Sequence, residues 1–215
     1  MTYEELIENP RYEKLDSFSH ENIKHVVMKE MGERGRWASI SNMYQLAGLM
    51  AIMIGGVKAF IPFLKYGIWG NLVGFAIGIL FSATFLIAFH EIIHALAYKI
   101  LGAKKLSIGV KLRKFIFFVM ADKQVLDYRQ FKKVALAPAI IIALITIAGM
   151  ILTYNQAMFY FFLSVFGVHS LFCGGDFGLL SYFENRKDRE ILTFDVKEEG
   201  KTYFYKKILL SDKNR

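Results

Sequence analysis

The chain has 215 residues, 54% of them hydrophobic and only 21% charged, with 20 phenylalanines and 3 prolines. A composition this apolar needs lipid or a very large core, and a chain of this length cannot build the large core, which excludes an ordinary soluble domain. The formal net charge of +8 does not point to nucleic acid, because the basic residues form no single stripe and collect between and after the apolar runs, where membrane topology puts them.

Residues 1–40 read as a polar, cytoplasmic N-terminal segment. It lacks the basic-then-apolar pattern of a signal peptide, so neither cleavage nor secretion is expected. Within it, Ser19 to Met31 brings Ile23, Val26 and Val27 close to one helical face. That pattern suits a short helix, either interfacial or simply solvated.

A first span is expected over Met43 to Leu64. It carries Lys58, which must reach an interface, and Gly48, Gly55 and Gly56, which let another helix approach. Pro62, Gly67 and Gly70 mark a turn. The second span runs from Ile68 to Leu101, longer than the roughly 20 residues a crossing needs. Three short strands follow, Leu106 to Val110, Phe115 to Ala121 and Gln124 to Tyr128, rich in β-branched and aromatic residues. A third span starts near Phe131 and ends near Tyr154, with Pro138 producing either a kink or a local irregularity. The fourth begins near Ala157, passes Phe172 and continues as a helix toward Tyr182. The link Tyr154-Asn155-Gln156 is so short that spans three and four must be antiparallel neighbours. The tail reads as a hairpin, Ile191 to Val196 and Thr202 to Ile208 around Glu-Glu-Gly.

These elements define an all-α membrane protein with four transmembrane helices, a small cytoplasmic β-rich loop and a tail hairpin. Its expected parts are residues 1–40, a transmembrane domain over 41–185 and a cytoplasmic tail over 186–215. Lys and Arg crowd the N-terminal segment, 103–133 (Lys111, Arg113 and Lys114 among them) and the tail, and are absent from the third-to-fourth link. The positive-inside rule then makes this a multi-pass protein of the cell membrane with both termini cytoplasmic.

The second span contains FLIAFHEIIHALAYK, with His90, Glu91 and His94. Histidines four apart face one side of a helix and can offer two imidazoles to one zinc, and the glutamate between them can take a proton from water. The bland alternative is a structural cluster in which Glu91 is hydrogen-bonded to a histidine. Ionisable groups are costly in an apolar span and usually mark a function.

A third ligand should lie at the same depth. His90 is nine residues before Lys99, and Asp176 is ten before Arg186, so Asp176 is the best candidate. Cys173 is a softer second candidate or a small packing residue, and as the only cysteine it forms no internal disulfide. By helical rise His169 lies about 10 Å beyond Asp176, above the motif rather than beside it. His20 and His25 read as ordinary surface histidines.

HEIIHALAYK in one span, Ala-Leu-Ala-Pro in the next and Cys-Gly-Gly-Asp in the last resemble the zincin membrane peptidases of the site-2 protease-like superfamily, and within it a bacterial family of small four-span proteins. The resemblance covers about residues 70 to 185. It implies a core of spans two, three and four in which His90, His94 and Asp176 hold zinc and Glu91 is the catalytic general base. Well-studied members carry an Asn-Pro-Asp-Gly type motif where this chain has Gly-Gly-Asp-Phe. The implied activity is zinc-dependent endoproteolysis of a membrane protein or peptide, with the lipid bilayer as the other partner. The alternative is a non-catalytic metal-binding membrane scaffold or sensor, for which Glu91 is unneeded. A transporter would show an internal repeat, and none is evident.

Overall fold

The computed structural model describes residues 1–111, 116–186 and 190–208. Arg113 and Lys114 of the basic segment, Phe115 of the expected second strand, and tail residues 187–189 and 209–215 lie outside the described residues. In chain order the elements are α1 (Tyr3–Glu8), β1 (Tyr12–Ser19), α2 (Ile23–Gly32), α3 (Arg36–Tyr66), α4 (Gly70–Ile100), β2 (Leu106–Lys111), β3 (Ile116–Ala121), β4 (Leu126–Asp127), α5 (Tyr128–Leu152), α6 (Ala157–Phe172), α7 (Gly174–Glu184), β5 (Ile191–Val196) and β6 (Lys201–Lys207). Among the described residues four helical stretches are long and apolar enough to cross a membrane: α3, α4, α5, and α6 with α7 together.

The first stretch begins seven residues earlier than Met43 and runs through Pro62 rather than turning there. A proline removes one intrahelical hydrogen bond, but the rest of the turn survives. The helix stops instead at Gly67, where φ is +67° and its amide donates to the Phe63 carbonyl at 2.9 Å. This is the left-handed glycine cap.

Two compact units divide the chain. One comprises Ser39–Ile93 and Leu136–Phe177. Its helices meet at small residues. At Gly48 of α3 a side chain would come within 2.8 Å of the Gly167 carbonyl oxygen, and at Gly78 of α4 within 2.6 Å of the Phe161 carbonyl oxygen. Glycine permits these close backbone approaches where other residues would force the helices apart. The expected closeness at Gly55 appears against Leu163, whereas Gly56 makes only ordinary contact with Phe75. α5 and α6 pack together at Gly149 and Phe162, as their short link requires. Leu86, Ile142 and Val165 form the buried apolar centre. Along α4 the pattern is inverted relative to a soluble helix: Leu80, Phe85, Phe89 and Ile92 are exposed while Ser82 and His90 are buried. Apolar side chains turned outward suit lipid as the surrounding medium.

The other unit comprises Met1–Ala38, His94–Ala135 and Gly178–Arg215. It contains a four-stranded sheet, ordered β1-β6-β5-β4, and a separate two-stranded sheet, β2-β3. The tail hairpin is therefore the middle of a larger sheet rather than an isolated ribbon. β1 was not expected. Its apolar residues Tyr12, Leu15 and Phe18 recur every three residues, and the register to β6 slips between Lys14 and Asp16. Leu15 and Phe18 pack against Tyr182, Phe183, Ile191 and Phe204, and Tyr12 against the cluster of Leu6 and Phe194, so the irregularity hides the period of two by which strands are read.

The third expected strand also changes. Only Leu126 and Asp127 are strand, they pair with β5, and Tyr128 already begins α5. Asp127 and Gln130 explain this. The Asp127 Oδ1 accepts from the Gln130 amide at 2.7 Å, and the Gln130 Oε1 accepts from the Asp127 amide at 3.1 Å. This reciprocal capping box starts the helix.

His20 is not the surface histidine expected, since it is buried against Asp195 (3.4 Å) and the ring of Phe118. The pairing of β1 with β6 carries it there. His25 is exposed, as expected. In the same unit Glu30, only 2% exposed, receives Asn185 at 2.7 Å and Arg186 at 2.9 Å. A buried carboxylate requires such partners.

Candidate metal centre

α4 is an unbroken apolar helix, so His90 and His94 are held one turn apart by helix geometry alone. Each is only 8% exposed. Glu91 lies between them and is half-buried.

Each histidine has its Nδ1 engaged by a neighbouring group. The His94 Nδ1 lies 3.1 Å from the Val134 carbonyl oxygen. A carbonyl only accepts, so the proton sits on Nδ1 and the lone pair on Nε2, the atom through which a metal would be held. The His90 Nδ1 lies 3.1 Å from the His169 Nε2, while the His90 Nε2 lies 3.3 Å from the Asp176 Oδ2. Either imidazole can donate in the first of these contacts; in the tautomer where His169 accepts, His90 carries its proton on Nδ1 and turns the Nε2 lone pair toward the Asp176 side.

Asp176 is in the first turn of α7. α6 ends at Phe172, and Cys173 alone separates it from α7, which begins at Gly174. Cys173 is fully buried, with its sulfur 3.6 Å from the His169 Nε2.

His169 corrects the depth expected of it. It lies beside the motif, in contact with His90. Counting residues gives rise along the helix axis, but here one imidazole bridges most of that rise, with one nitrogen toward His169 and the other toward Asp176. Chain spacing carried no information about the tilt of that ring.

The ligand atoms of His90, His94 and Asp176 lie within 4.8 Å of one another. Zinc takes nitrogen and oxygen ligands at about 2.0–2.2 Å, so neighbouring ligands in a tetrahedral shell are about 3.3–3.5 Å apart. The 3.3 Å between His90 and Asp176 fits that edge. Two imidazoles and a carboxylate are also the donor set of hydrolytic zinc sites, which leave the fourth position open. The residues present therefore fit the ion. A second group, His90, His169 and Cys173, also brings its ligand atoms within 4.8 Å. It shares His90 with the first group, and the His90 Nδ1 is the atom that meets His169.

Residues 83–189 match a family model described as "Putative zincin peptidase". The similarity is to a zincin-like metallopeptidase family. The matched stretch includes His90, Glu91, His94, His169, Cys173 and Asp176, and the zincin designation implies zinc. No curated protein and no solved structure matches the chain.

Sequence reasoning missed two parts of the centre. The Val134 carbonyl is a backbone atom and has no signature of its own. His169 shares a face with Cys173 and Asp176 at spacings of four and three, and was set aside on depth alone.

Proposed function

We propose that this chain is an intramembrane zinc metalloprotease that hydrolyses peptide bonds of membrane-associated substrates. The observation that carries the reading is the 3.3 Å approach of Asp176 to the first histidine of an HExxH motif inside a membrane-length helix. Similarity to a zincin-like family supports it.

His90, His94 and Asp176 would hold the ion. When bound, zinc polarises the scissile carbonyl and lowers the pKa of water at the open position. Glu91 takes the proton of the attacking water and passes it to the leaving amine. Val134 and His169 keep the two imidazoles in the tautomer that presents Nε2. A substrate helix must unwind locally, because an intact helix keeps its carbonyls bonded within itself. Asp176 here is flanked by glycine and phenylalanine, with no neighbouring asparagine to grip the unwound backbone. The two-stranded β2-β3 sheet can receive it by strand addition. β4 belongs to the other sheet.

Cleavage in reconstituted bilayers tests the reading. A strong chelator should stop it, and one equivalent of zinc should restore it. Cleavage undiminished after the metal has been stripped would contradict a zinc mechanism.

The same reading places the protein in the cell membrane with both termini cytoplasmic, because Lys and Arg collect in the N-terminal segment, 103–133 and the tail. Reporter fusions at residue 215 and at residue 155 should report opposite sides. A C-terminal reporter found outside the cytoplasm would reverse the topology.

A further inference from the structure

We propose that Pro138 is a positioning residue for this centre: by withholding an amide from α5, it frees the Val134 carbonyl to hold His94 in its metal-binding tautomer. The proposal rests on the reading of His94 as a zinc ligand.

In an α-helix each carbonyl accepts from the amide four residues on. Four residues after Val134 stands Pro138, inside α5 and fully buried. Proline has no N–H, and its ring pushes the carbonyl four residues back out of the helical ladder. The Val134 carbonyl thus loses its regular donor in a place where water cannot easily substitute, since Val134 is itself buried. Buried carbonyls are rarely left unmet. The donor found here is the His94 Nδ1 at 3.1 Å.

The arrangement serves both partners. The carbonyl regains a hydrogen bond, and His94 gains an acceptor that cannot donate. A carbonyl in a complete ladder would point along the helix axis, already engaged. The proline supplies a lateral acceptor without introducing a polar side chain into an apolar span.

A proline that merely bends the helix makes a different forecast. Replacing it with a good helix former should then stabilise the protein and leave metal binding alone. If Pro138 positions His94, restoring the amide should draw the Val134 carbonyl back into the ladder and release the imidazole.

Two variants separate the amide from the ring. Pro138→Ala restores the N–H and leaves a small void, whereas Pro138→Val restores the N–H and keeps most of the volume. Full-length protein labelled with ¹⁵N-histidine is compared in detergent, first without metal. In the wild type His94 should be a single Nδ1–H tautomer, and in both variants it should become a mixture. Zinc affinity, measured by chelator competition, should fall about 10–100-fold in both, as loss of an outer-shell partner typically does, with no fall in melting temperature. An unchanged His94 tautomer in both variants overturns the proposal. So does a loss confined to Pro138→Ala, which would assign the effect to packing. Failure of the wild type to bind zinc would count against the metal reading, while the metal-free tautomer spectra would still decide the role of the proline.

Discussion

Glu91→Gln should leave the zinc in place and slow cleavage by about 100-fold to 10,000-fold, the usual contribution of a general base. The substitution keeps the size of the side chain and removes only its basicity. His90, His94 and Asp176 are untouched, so metal content should match the wild type. A half-buried carboxylate on a membrane-length helix is expensive to keep, and a purely structural site needs only its ligands. The readout is loss of full-length substrate over time in reconstituted membranes, with zinc measured in the same samples. Membrane proteins that accumulate in cells carrying the variant supply the first substrates. Equal rates for wild type and a zinc-loaded Glu91→Gln protein would remove Glu91 from the mechanism and favour a metal scaffold.

Asp176→Ala should lose zinc by a wider margin than any change behind the ligands. Asp176 supplies the only carboxylate of the three-ligand group, 3.3 Å from the His90 Nε2. Without it two imidazoles remain, short of the three protein ligands that catalytic zinc sites use. His169→Ala should be milder, because it removes the ring that meets the His90 Nδ1 rather than a ligand of the three-residue group. Outer-shell losses of this kind cost about 10–100-fold in affinity. Cys173→Ser should retain zinc, since the sulfur faces His169 and not the Asp176 side of His90. Zinc content after chelator challenge ranks the three. Full retention in Asp176→Ala with loss in Cys173→Ser would move the ion to the group of His90, His169 and Cys173.

The four membrane-length helices were legible because lipid demands long apolar runs, and such runs are the strongest signal a sequence carries. The ends were less legible. α3 starts at Arg36 because a helix can continue past its apolar stretch, and α5 starts at Tyr128 because of a capping pair, Asp127 and Gln130. β2, β3 and the tail strands were readable from their β-branched and aromatic content. β1 was not, since a bulge breaks its alternation, and its pairing with β6 joins residues nearly 200 positions apart. In the centre, HExxH and the depth of Asp176 could be read along the chain. The contact of His169 with His90 depends on ring orientation, and the Val134 carbonyl is a backbone group, so neither follows from spacing.

The most direct test is X-ray absorption at the zinc edge of the detergent-purified wild-type protein, with zinc quantified per chain. The account predicts about one zinc bound only by nitrogen and oxygen at about 2.0–2.2 Å, with the outer-shell pattern of two imidazoles. A sulfur shell at about 2.3 Å, or no bound metal in folded protein, would contradict it.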